Sequence, residues 1–534
     1  MRGLLKTIRR DRGDWALGVY AWLLASSLAY VLMPLLLVRM LDPNAEHRLL
    51  VALFVSAVFA YAVCQNRIAT LVSERLERGV GRILMRVATD LMRLNLASVE
   101  RVGITRIRNL ITHEVAVLSG VGDVMGTILQ KVCVMGLICV AMVLLSPAAA
   151  FVWVVLIVAC LLHSWIQSER LRSTSAQVSR FDNAQREYSE GFMRGLRQIH
   201  GSRLLRRGLR ATLKRHLKLA GQREAEVGGR MLRMWQGYHG VYFLGLACFL
   251  FFLPLYSVVP ESEILAMVIL LTLTPINDVA QGLPQVFRAN VSAKRLANFE
   301  SRLRKVPVEA VEKTSKSDRL GWGKGVAVEL KSVTFGYRDS SNRFGLGPVS
   351  MTLEHGETLL LAGKNGSGKS TLLRVLMGLY PARKGGLQIG NRPIGSTTLS
   401  AYRGLFSYVS ADPFLFDRLF GLEDIDDDVA NEWLERCRVP HDLVHVHDGA
   451  FSNLELALDI RKRVALAVAM LEDRPILVLD EIGGNQDEQF RELVYGTLLP
   501  ELKERGKTIV YASHDDDFFD RADRILRIEK GCLV

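Results

Sequence analysis

Six long apolar segments in the N-terminal part of this 534-residue chain restrict the folds that are open to it. Crossing about 30 Å of hydrocarbon takes roughly 17–25 helical residues, and each segment is long enough. Only Ser146-Pro147 separates the third and fourth segments, so we expect these two to form a hairpin. The sequence therefore predicts an all-α membrane domain with six spans within residues 1–305. The predicted spans are Trp15–Val38, Leu49–Val72, Thr127–Ser146, Ala148–Gln167, Tyr238–Tyr256 and Ile264–Phe287.

Charge is divided unevenly along the chain. The net charge of +13 combines +20 in residues 1–325 with −7 in residues 326–534. The basic excess thus lies in the half that holds the apolar segments. This distribution is typical of a membrane domain with cationic cytoplasmic loops and disfavours a nucleic-acid partner. Because 49% of the residues are apolar, the composition also excludes a disordered protein.

The cationic residues also predict an orientation. The N-terminal tail and the loops after spans two and four are rich in Lys and Arg, which puts them, and both termini, in the cytoplasm. Apolar residues such as Leu76, Val80 and Ile83 recur at helical spacing in the first of these loops. We therefore expect each loop to be two helices that continue the spans and meet at a short turn, near Ser98–Gly103 or Arg194–Arg207. These turns are candidates for docking on the acidic C-terminal domain. Alternatively, the basic residues recruit anionic lipid headgroups.

Four polar side chains lie in the second half of span six. Polar groups at this depth are costly in lipid and usually face a protein interior or a water-filled cavity, which predicts a transport pathway. If the span ends near Leu273, they are merely interfacial. The four residues are Asn277, Asp278, Gln281 and Gln285.

Residues 363–371 carry the strongest motif in the chain. They fit the P-loop pattern G-x-x-x-x-G-K-[ST], with a strand predicted before it at Thr358–Leu361 and a helix after it at Thr371–Met377. The glycines let main-chain N–H groups point at phosphate oxygens, and the helix N-terminus adds a positive partial charge. We expect Lys369 to reach the β- and γ-phosphates of ATP and the Ser370 hydroxyl to hold Mg²⁺. The candidate nucleotide-binding residues are Gly363, Lys364, Asn365, Gly366, Ser367, Gly368, Lys369, Ser370 and Thr371.

Two further runs end in side chains that suit phosphate chemistry. The apolar run from Ile476 to Leu479 is followed by Asp480 and Glu481. Asp480 is placed to hold Mg²⁺ through water, and Glu481 to orient or deprotonate the attacking water. The run Thr508–Ala512 ends in Ser513-His514, which places an imidazole beside the γ-phosphate if the two runs lie next to the P-loop.

Taken together, these features resemble an ABC exporter half-transporter, and the resemblance covers essentially the whole chain. It implies a multidomain fold: an all-α six-helix transmembrane domain, a linker at 306–326 and an α/β P-loop ATPase domain at 327–534. In this family an aromatic residue before the P-loop stacks on adenine, which nominates Tyr337. The stretches Tyr408–Phe416 and Arg461–Ala467 are similar to the segment that couples nucleotide to the membrane domain and to the helix after the signature motif. The ending from Glu472 to Asp516 is similar to the cyclic-peptide and siderophore exporter branch.

Three departures from the family pattern concern catalysis. Ala411 stands where the family has a glutamine that contacts Mg²⁺ and the attacking water. Leu456–Ile460 stands where the family has Leu-Ser-Gly-Gly-Gln, the motif that caps the γ-phosphate bound to the opposite subunit. Here the serine hydroxyl is missing, Leu458 hinders close approach, and Asp459 brings a negative charge towards a triphosphate. In the loop at 482–487, only Asp487 stands where expected.

These observations favour an exporter subunit that couples ATP binding and hydrolysis to export of a peptide-like secondary metabolite, of the cyclic-peptide or siderophore class. The alternatives are a multidrug or lipid exporter, and a low-turnover ATP-binding regulatory or assembly partner. The resemblance implies ATP and Mg²⁺ as cofactors. It implies membrane lipid, a second half-transporter (homodimer or heterodimer) and a small peptide-like cargo as partners, with no nucleic acid. The expected location is a bacterial-type inner (plasma) membrane, as a multi-pass protein with both termini in the cytoplasm.

Overall fold

The structure is a computed structural model of the chain. It describes residues 15–40, 46–145, 147, 150–151, 153–160, 162–163, 166, 191–193, 195–256, 273–304, 322–323, 325–337, 345–514 and 516–534. The chain divides into two compact units, one made of residues 1–85 and 109–299 and the other of residues 86–108 and 300–534. The second unit therefore includes the tip of the loop after span two. The predicted linker at 306–326 falls mostly outside the described residues.

The described part of the first unit is helical. Long helices dominate, and two of them continue through a proline, at Pro34 and at Pro284. Shorter helices, with a π-helical turn at Leu110–Glu114, connect two of them. The helices are α1 (Trp15–Arg39), α2 (His47–Met92), α3 (Leu96–Val102), α4 (Ile104–Asn109), α5 (Val115–Ser119), α6 (Gly122–Leu145), α7 (Leu196–Gly201), α8 (Arg203–Tyr256) and α9 (Leu273–Leu303), of which α3 and parts of α2, α4 and α9 belong to the second unit.

Three stretches of the described residues are long and apolar enough to cross a membrane: Gly18–Leu37, His47–Met92 and Leu110–Leu144. The first stretch lies within the first predicted span, the second contains the second predicted span, and the third covers nearly all of the third. The fifth predicted span forms the last part of α8. The fourth and sixth spans and the Ser146-Pro147 turn fall partly outside the described residues.

The loop after span two differs from the expectation of a simple turn. The chain forms the short helix α3 over Leu96–Val102, because Asn95 caps it by accepting a hydrogen bond from the Ser98 N–H at 2.8 Å. Gly103 ends the helix with φ of +88°, a conformation that costs glycine little. In the loop after span four, α7 and α8 are separated by Ser202 alone, whose backbone is extended.

A charged group lies inside the helical bundle of the first unit. The Lys131 ammonium is 3.6 Å from the Asp278 carboxylate, and it donates a hydrogen bond to the Tyr61 hydroxyl at 3.3 Å. The ring of Tyr30 lies 4.5 Å from the same ammonium. Lys131 is 6% exposed at its side chain and Asp278 is 31% exposed, so the carboxylate is the more accessible partner.

The rest of the second unit is an α/β domain with two main sheets. A six-stranded sheet has the order β12-β11-β3-β10-β9-β6, in which all strands but β12 run parallel. A four-stranded antiparallel sheet has the order β2-β1-β4-β5. The strands are β1 (Val328–Gly336), β2 (Gly345–Leu353), β3 (Thr358–Ala362), β4 (Lys384–Ile389), β5 (Arg392–Pro393), β6 (Phe406–Val409), β7 (Val446–His447), β8 (Ala450–Phe451), β9 (Ile476–Asp480), β10 (Thr508–Ser513), β11 (Arg524–Glu529) and β12 (Cys532–Leu533).

The helices of this domain cover both faces of the parallel sheet, whose central strands β3, β9 and β10 are fully buried. Burial on both faces explains why these strands are apolar along their whole length instead of alternating. The helices are α10 (Lys369–Leu376), α11 (Leu399–Arg403), α12 (Asp427–Arg436), α13 (Leu458–Leu471), α14 (Glu488–Glu492) and α15 (Leu499–Glu504), with a π-helical turn at Leu493–Leu498 and a 3₁₀ turn at Asp516–Arg521.

Candidate functional site

The register of the parallel sheet brings the sequence motifs to one edge. Ser513 pairs with Ala362, and Ala512 pairs with Asp480, so β3, β9 and β10 end side by side. The carboxyl ends of parallel strands are where ligands bind in open α/β sheets. The P-loop, the acidic pair after β9 and the Ser-His pair after β10 therefore meet at one place.

The P-loop turns sharply between β3 and α10. Helix α10 begins at Lys369, two residues before the predicted start, with Gly368 as its N-cap at φ of +115°. At Gly363 an added Cβ would lie 2.5 Å from the main-chain oxygen of Ile528, so no larger residue fits there. The Ser367 N–H donates a hydrogen bond to the Lys364 carbonyl, and the Ser367 carbonyl accepts one from the Gly531 N–H.

Lys369 points its ammonium back over the loop. It donates to the carbonyl oxygens of Gly363 at 2.8 Å and Lys364 at 3.3 Å, and its side chain is 3% exposed. The Ser367 hydroxyl is buried and has no hydrogen-bond partner within the described part of the chain. A buried unpaired hydroxyl beside a buried ammonium at a helix N-terminus fits a phosphate group.

Ser370 and Asp480 are positioned to share a cation. The Ser370 hydroxyl donates to the Asp480 carboxylate at 3.0 Å, and the Tyr408 hydroxyl donates to its other oxygen at 3.3 Å. Burial raises the pKa of Asp480, while the hydrogen bond from Ser370 opposes the rise. One hydroxyl and one carboxylate oxygen are ligands that suit Mg²⁺.

Glu481 lies between the Lys369 ammonium and the His514 imidazole. Its carboxylate is 3.3 Å from the Lys369 ammonium and 4.0 Å from the His514 Nδ1. Its backbone has a positive φ of 54°, and its N–H donates to the Ala512 carbonyl at 3.0 Å. The buried Lys462 ammonium donates to the Glu481 carbonyl at 2.7 Å, and burial lowers the pKa of Lys462. The backbone of Glu481 is thus held by two hydrogen bonds in a conformation that few residues adopt.

Tyr337 directly follows strand β1 of the four-stranded sheet and lies beside the start of helix α10. Its hydroxyl is 3.3 Å from that of Thr371. Its ring makes edge contacts with Phe335 and Tyr380, at 5.1 and 6.0 Å between ring centres. Its stacking on adenine stays a prediction.

The departures from the family pattern gather around the start of α13. Ala457 occupies the N-cap position, where its methyl group provides no cap, and Asp459 lies in the first turn. Gln486 donates to the Asp459 carbonyl at 2.9 Å. Arg463 forms an ion pair with Asp487, whose pKa is lowered by the hydrogen bond from the Phe490 N–H and by Arg463. The loop at 482–487 is therefore tied to α13 by its own polar contacts.

Three residues of this site were not among the candidates from the sequence. Tyr408 and Lys462 lie in stretches that only resemble the family as a whole, and Arg374 lies on α10 with its guanidinium 2.9 Å from the Tyr380 hydroxyl. In the sequence Lys462 stands between Arg461 and Arg463, and only the structure shows that it is the one buried against two carbonyl oxygens. No local pattern marks Tyr408 or Arg374.

Part of the chain is similar to known proteins. Residues 346–483 match the family model described as ABC transporter. The chain is 35% identical to the ATP-binding protein SyrD of Pseudomonas syringae pv. syringae over 304 residues, which cover 54% of this chain and 53% of SyrD. It is 31% identical to the energy-coupling factor transporter ATP-binding protein EcfA of Enterococcus faecium, over 39% of this chain and 77% of EcfA. The match thus spans about half the length of SyrD and most of EcfA.

A solved structure shares the fold of the whole chain. It is described as a bacterial Atm1-family ABC exporter with ATP bound. The likeness has a TM-score of 0.73 at 16% sequence identity and covers 98% of this chain and 95% of that one. The predicted fold, helical spans followed by an α/β P-loop domain, is confirmed.

Proposed function

The chain belongs to the ABC transporter family, and from this premise we propose that it is an exporter subunit that binds and hydrolyses ATP to move a cargo across a membrane. The observation that carries the proposal is the convergence of Lys369, Ser370, Asp480, Glu481 and His514 at one edge of the parallel sheet. Each has the chemistry that phosphoryl transfer to water requires at its position.

The residues divide the work of hydrolysis among them. The P-loop main chain, Ser367 and Lys369 bind the phosphates, and the Lys369 ammonium neutralises charge that builds up on the transferred group. Ser370 and Asp480 hold Mg²⁺, which supplies further charge neutralisation when bound. Glu481 orients the attacking water and accepts its proton. His514, beside Glu481, provides a further donor near the phosphate.

The residues named above act on the ATP bound to this chain, and we propose that a second half-transporter completes the site. In a homodimer both sites would face the altered segment Leu456–Ile460. In a heterodimer, a partner with an intact signature motif would complete the site built on Lys369 and Glu481. The retention of both residues favours an arrangement in which some hydrolysis persists.

We further propose a bacterial-type inner membrane with both termini in the cytoplasm, and a transport pathway lined by the polar part of span six. The accessible Asp278 carboxylate, paired with the buried Lys131, supports this pathway because a charge pair in a bundle usually marks a route for polar cargo. A peptide-like secondary metabolite is the proposed cargo. A multidrug or lipid exporter is the second candidate.

The test is Mg·ATP binding and ATPase rate of the full chain in lipid nanodiscs, alone and with candidate partner subunits. We expect binding that Lys369→Ala abolishes and turnover that Glu481→Gln removes. Lys384→Ala, at an exposed lysine of strand β4 in the same domain, is the matched control. Binding without turnover in any combination would replace the exporter by a regulatory or assembly role, and no binding would overturn both.

A further inference from the structure

The ion pair between α6 and α9 has its negative end on the more accessible side. The side chain of Asp278 is 31% exposed, whereas that of Lys131 is 6% exposed. The Lys131 ammonium is 3.6 Å from the carboxylate, which is longer than a hydrogen bond, and no group in the described part of the chain donates a hydrogen bond to Asp278. Because an ionised carboxylate has about four lone-pair sites, Asp278 keeps most of its capacity to bind N–H donors.

Lys131 is fixed behind this carboxylate by helices α1 and α2. Its ammonium donates to the Tyr61 hydroxyl at 3.3 Å, and the centre of the Tyr30 ring lies 4.5 Å away. The neighbouring residue, Gln130, is fully buried, and its side-chain amide donates to the Ser26 hydroxyl of α1 at 3.2 Å. Because the face of a tyrosine ring attracts a cation, the ammonium keeps partners when Asp278 binds another group.

Close packing of α9 on α6 sets the position of the pair. At Gly282 an added Cβ would lie 2.6 Å from the Ile128 side chain, so the two helices approach closely there. Asp278 lies about one turn before Gly282, and Lys131 lies about one turn after Ile128. The two charged side chains therefore meet next to a tight helix contact, which holds the carboxylate at one place along α9.

The part of α9 around Asp278 carries a single charge. Asp278 is the one charged residue between Leu273 and Phe287. Its polar neighbours are neutral amides, and the side chain of Gln281 donates to that of Asn277 at 2.9 Å. A solute that moves along this part of the helix therefore meets one charge, and that charge is negative. A cationic group is attracted there and an anionic group is repelled.

We propose that Asp278 binds a cationic nitrogen of the cargo, an ammonium or a guanidinium group. Lys131 is the resident counter-ion, which balances the carboxylate from behind and shares it with the cargo. Hydrogen bonds from a charged nitrogen to a carboxylate are stronger than neutral ones, so this contact selects cargo by charge. The substrate class rests on the proposed function, because it presumes that the polar part of span six lines the transport pathway.

The test uses three forms of one fluorescent cyclic hexapeptide, in which a single lysine is free, acetylated or succinylated. They present a cation, a neutral group and an anion on the same ring. Fluorescence anisotropy measures their binding to the full chain in nanodiscs without nucleotide. We expect the wild-type chain to bind the cationic form at least about tenfold more tightly than the other two.

Two substitutions assign the preference to the ion pair. Asp278→Asn should bring the three dissociation constants to within about twofold of one another, and Asp278→Glu should keep the preference. Lys131→Met should tighten binding of the cationic form about threefold or more, because it removes a like charge next to the carboxylate. Glu46→Gln, which neutralises an exposed acid just before α2 in the same unit, is the matched control and should leave all three constants unchanged.

Several outcomes would overturn the proposal. Equal binding of the three forms by the wild-type chain, including no binding of any, would remove the cation site. Tighter binding of the anionic form, lost in Lys131→Met, would assign the site to the ammonium instead. An unchanged preference in Asp278→Asn, with weaker self-association of the chain, would make the carboxylate a contact between copies. If Lys131→Met does not fold, Asp278→Asn decides the question alone.

The ATPase rate separates this proposal from the proposed function. ATP hydrolysis by a chain without charge preference would refute the cation site alone. A charge preference that depends on Asp278, in a chain that hydrolyses no ATP with any partner, would leave the cation site and refute the proposed function.

Discussion

Glu481→Gln should strengthen ATP binding and slow ATP hydrolysis. In the structure the Glu481 carboxylate lies 3.3 Å from the Lys369 ammonium. At an effective dielectric constant of about 20, the gross electrostatic attraction at this distance is about 5 kcal/mol. A triphosphate has to displace this carboxylate in order to reach Lys369. The substitution therefore removes a competitor for the ammonium as well as the group expected to activate water.

The net gain in binding is smaller than the gross attraction. The Glu481 side chain is 27% exposed, so the freed carboxylate regains much of its solvation when nucleotide displaces it. We expect a net change of about 1.4 kcal/mol, which corresponds to a dissociation constant for Mg·ATP about tenfold lower. The ATPase rate should fall at least 100-fold, which is about 2.7 kcal/mol of transition-state stabilisation.

Equilibrium binding of a fluorescent ATP analogue and steady-state phosphate release, on the same nanodisc preparation, measure the two effects. Glu488→Gln, an exposed acid at the start of α14, removes the same charge from the domain and should change neither quantity. Unchanged or weaker nucleotide binding by Glu481→Gln would refute the reasoning that the carboxylate competes with phosphate for Lys369.

Asp459→Asn should raise the ATPase rate of the purified chain by about tenfold, because it removes a negative charge that the family resemblance places against nucleotide on the partner; equal rates for Asp459→Asn and the charge-retaining Asp459→Glu would count against this. Gly363→Ala should abolish ATP binding in the folded protein, since the added Cβ meets the Ile528 carbonyl oxygen at 2.5 Å, and circular dichroism alongside binding checks that the fold survives. Lys462→Met should lower the ATPase rate at least tenfold and reduce the free energy of unfolding by roughly 2 kcal/mol, because it leaves the carbonyl of Glu481 without its charged donor. A full ATPase rate at normal stability would show that Lys462 does not position Glu481.

The segment that departs from the family's signature motif has a defined structure. The first turn of α13 begins at Leu458 with an alanine N-cap, and the Asp459 carbonyl is held by Gln486. The segment Leu456–Ile460 is therefore part of the folded domain, and its departure from the family motif lies in its side chains. Under the proposed function, a homodimer places Asp459 at both nucleotide sites, whereas a partner with an intact signature motif completes the site built on this chain.

The sequence alone predicted the parts of the protein whose physics is local. The length and apolar character of a segment such as Trp15–Val38 are sufficient to predict a helical span, because lipid requires both. The P-loop was equally predictable: its glycines, Lys369 and Ser370 lie within nine residues, with a strand before and a helix after. The loop tip at Ser98–Gly103 was predicted only as a turn, since the capping bond from Asn95 is a weak local signal.

Only the tertiary structure decided which distant residues meet around the phosphate site. Asp480 lies beside Ser370 because the hydrogen-bond register of β9, β10 and β3 brings their carboxyl ends to one edge. The hydrogen bond from the Tyr380 hydroxyl to the Glu100 carboxylate joins residues 280 positions apart in the chain, and no spacing in the sequence encodes it. Such contacts depend on how the packed elements fix side-chain positions in three dimensions, whereas spans and P-loops depend on neighbours within a few turns of the chain.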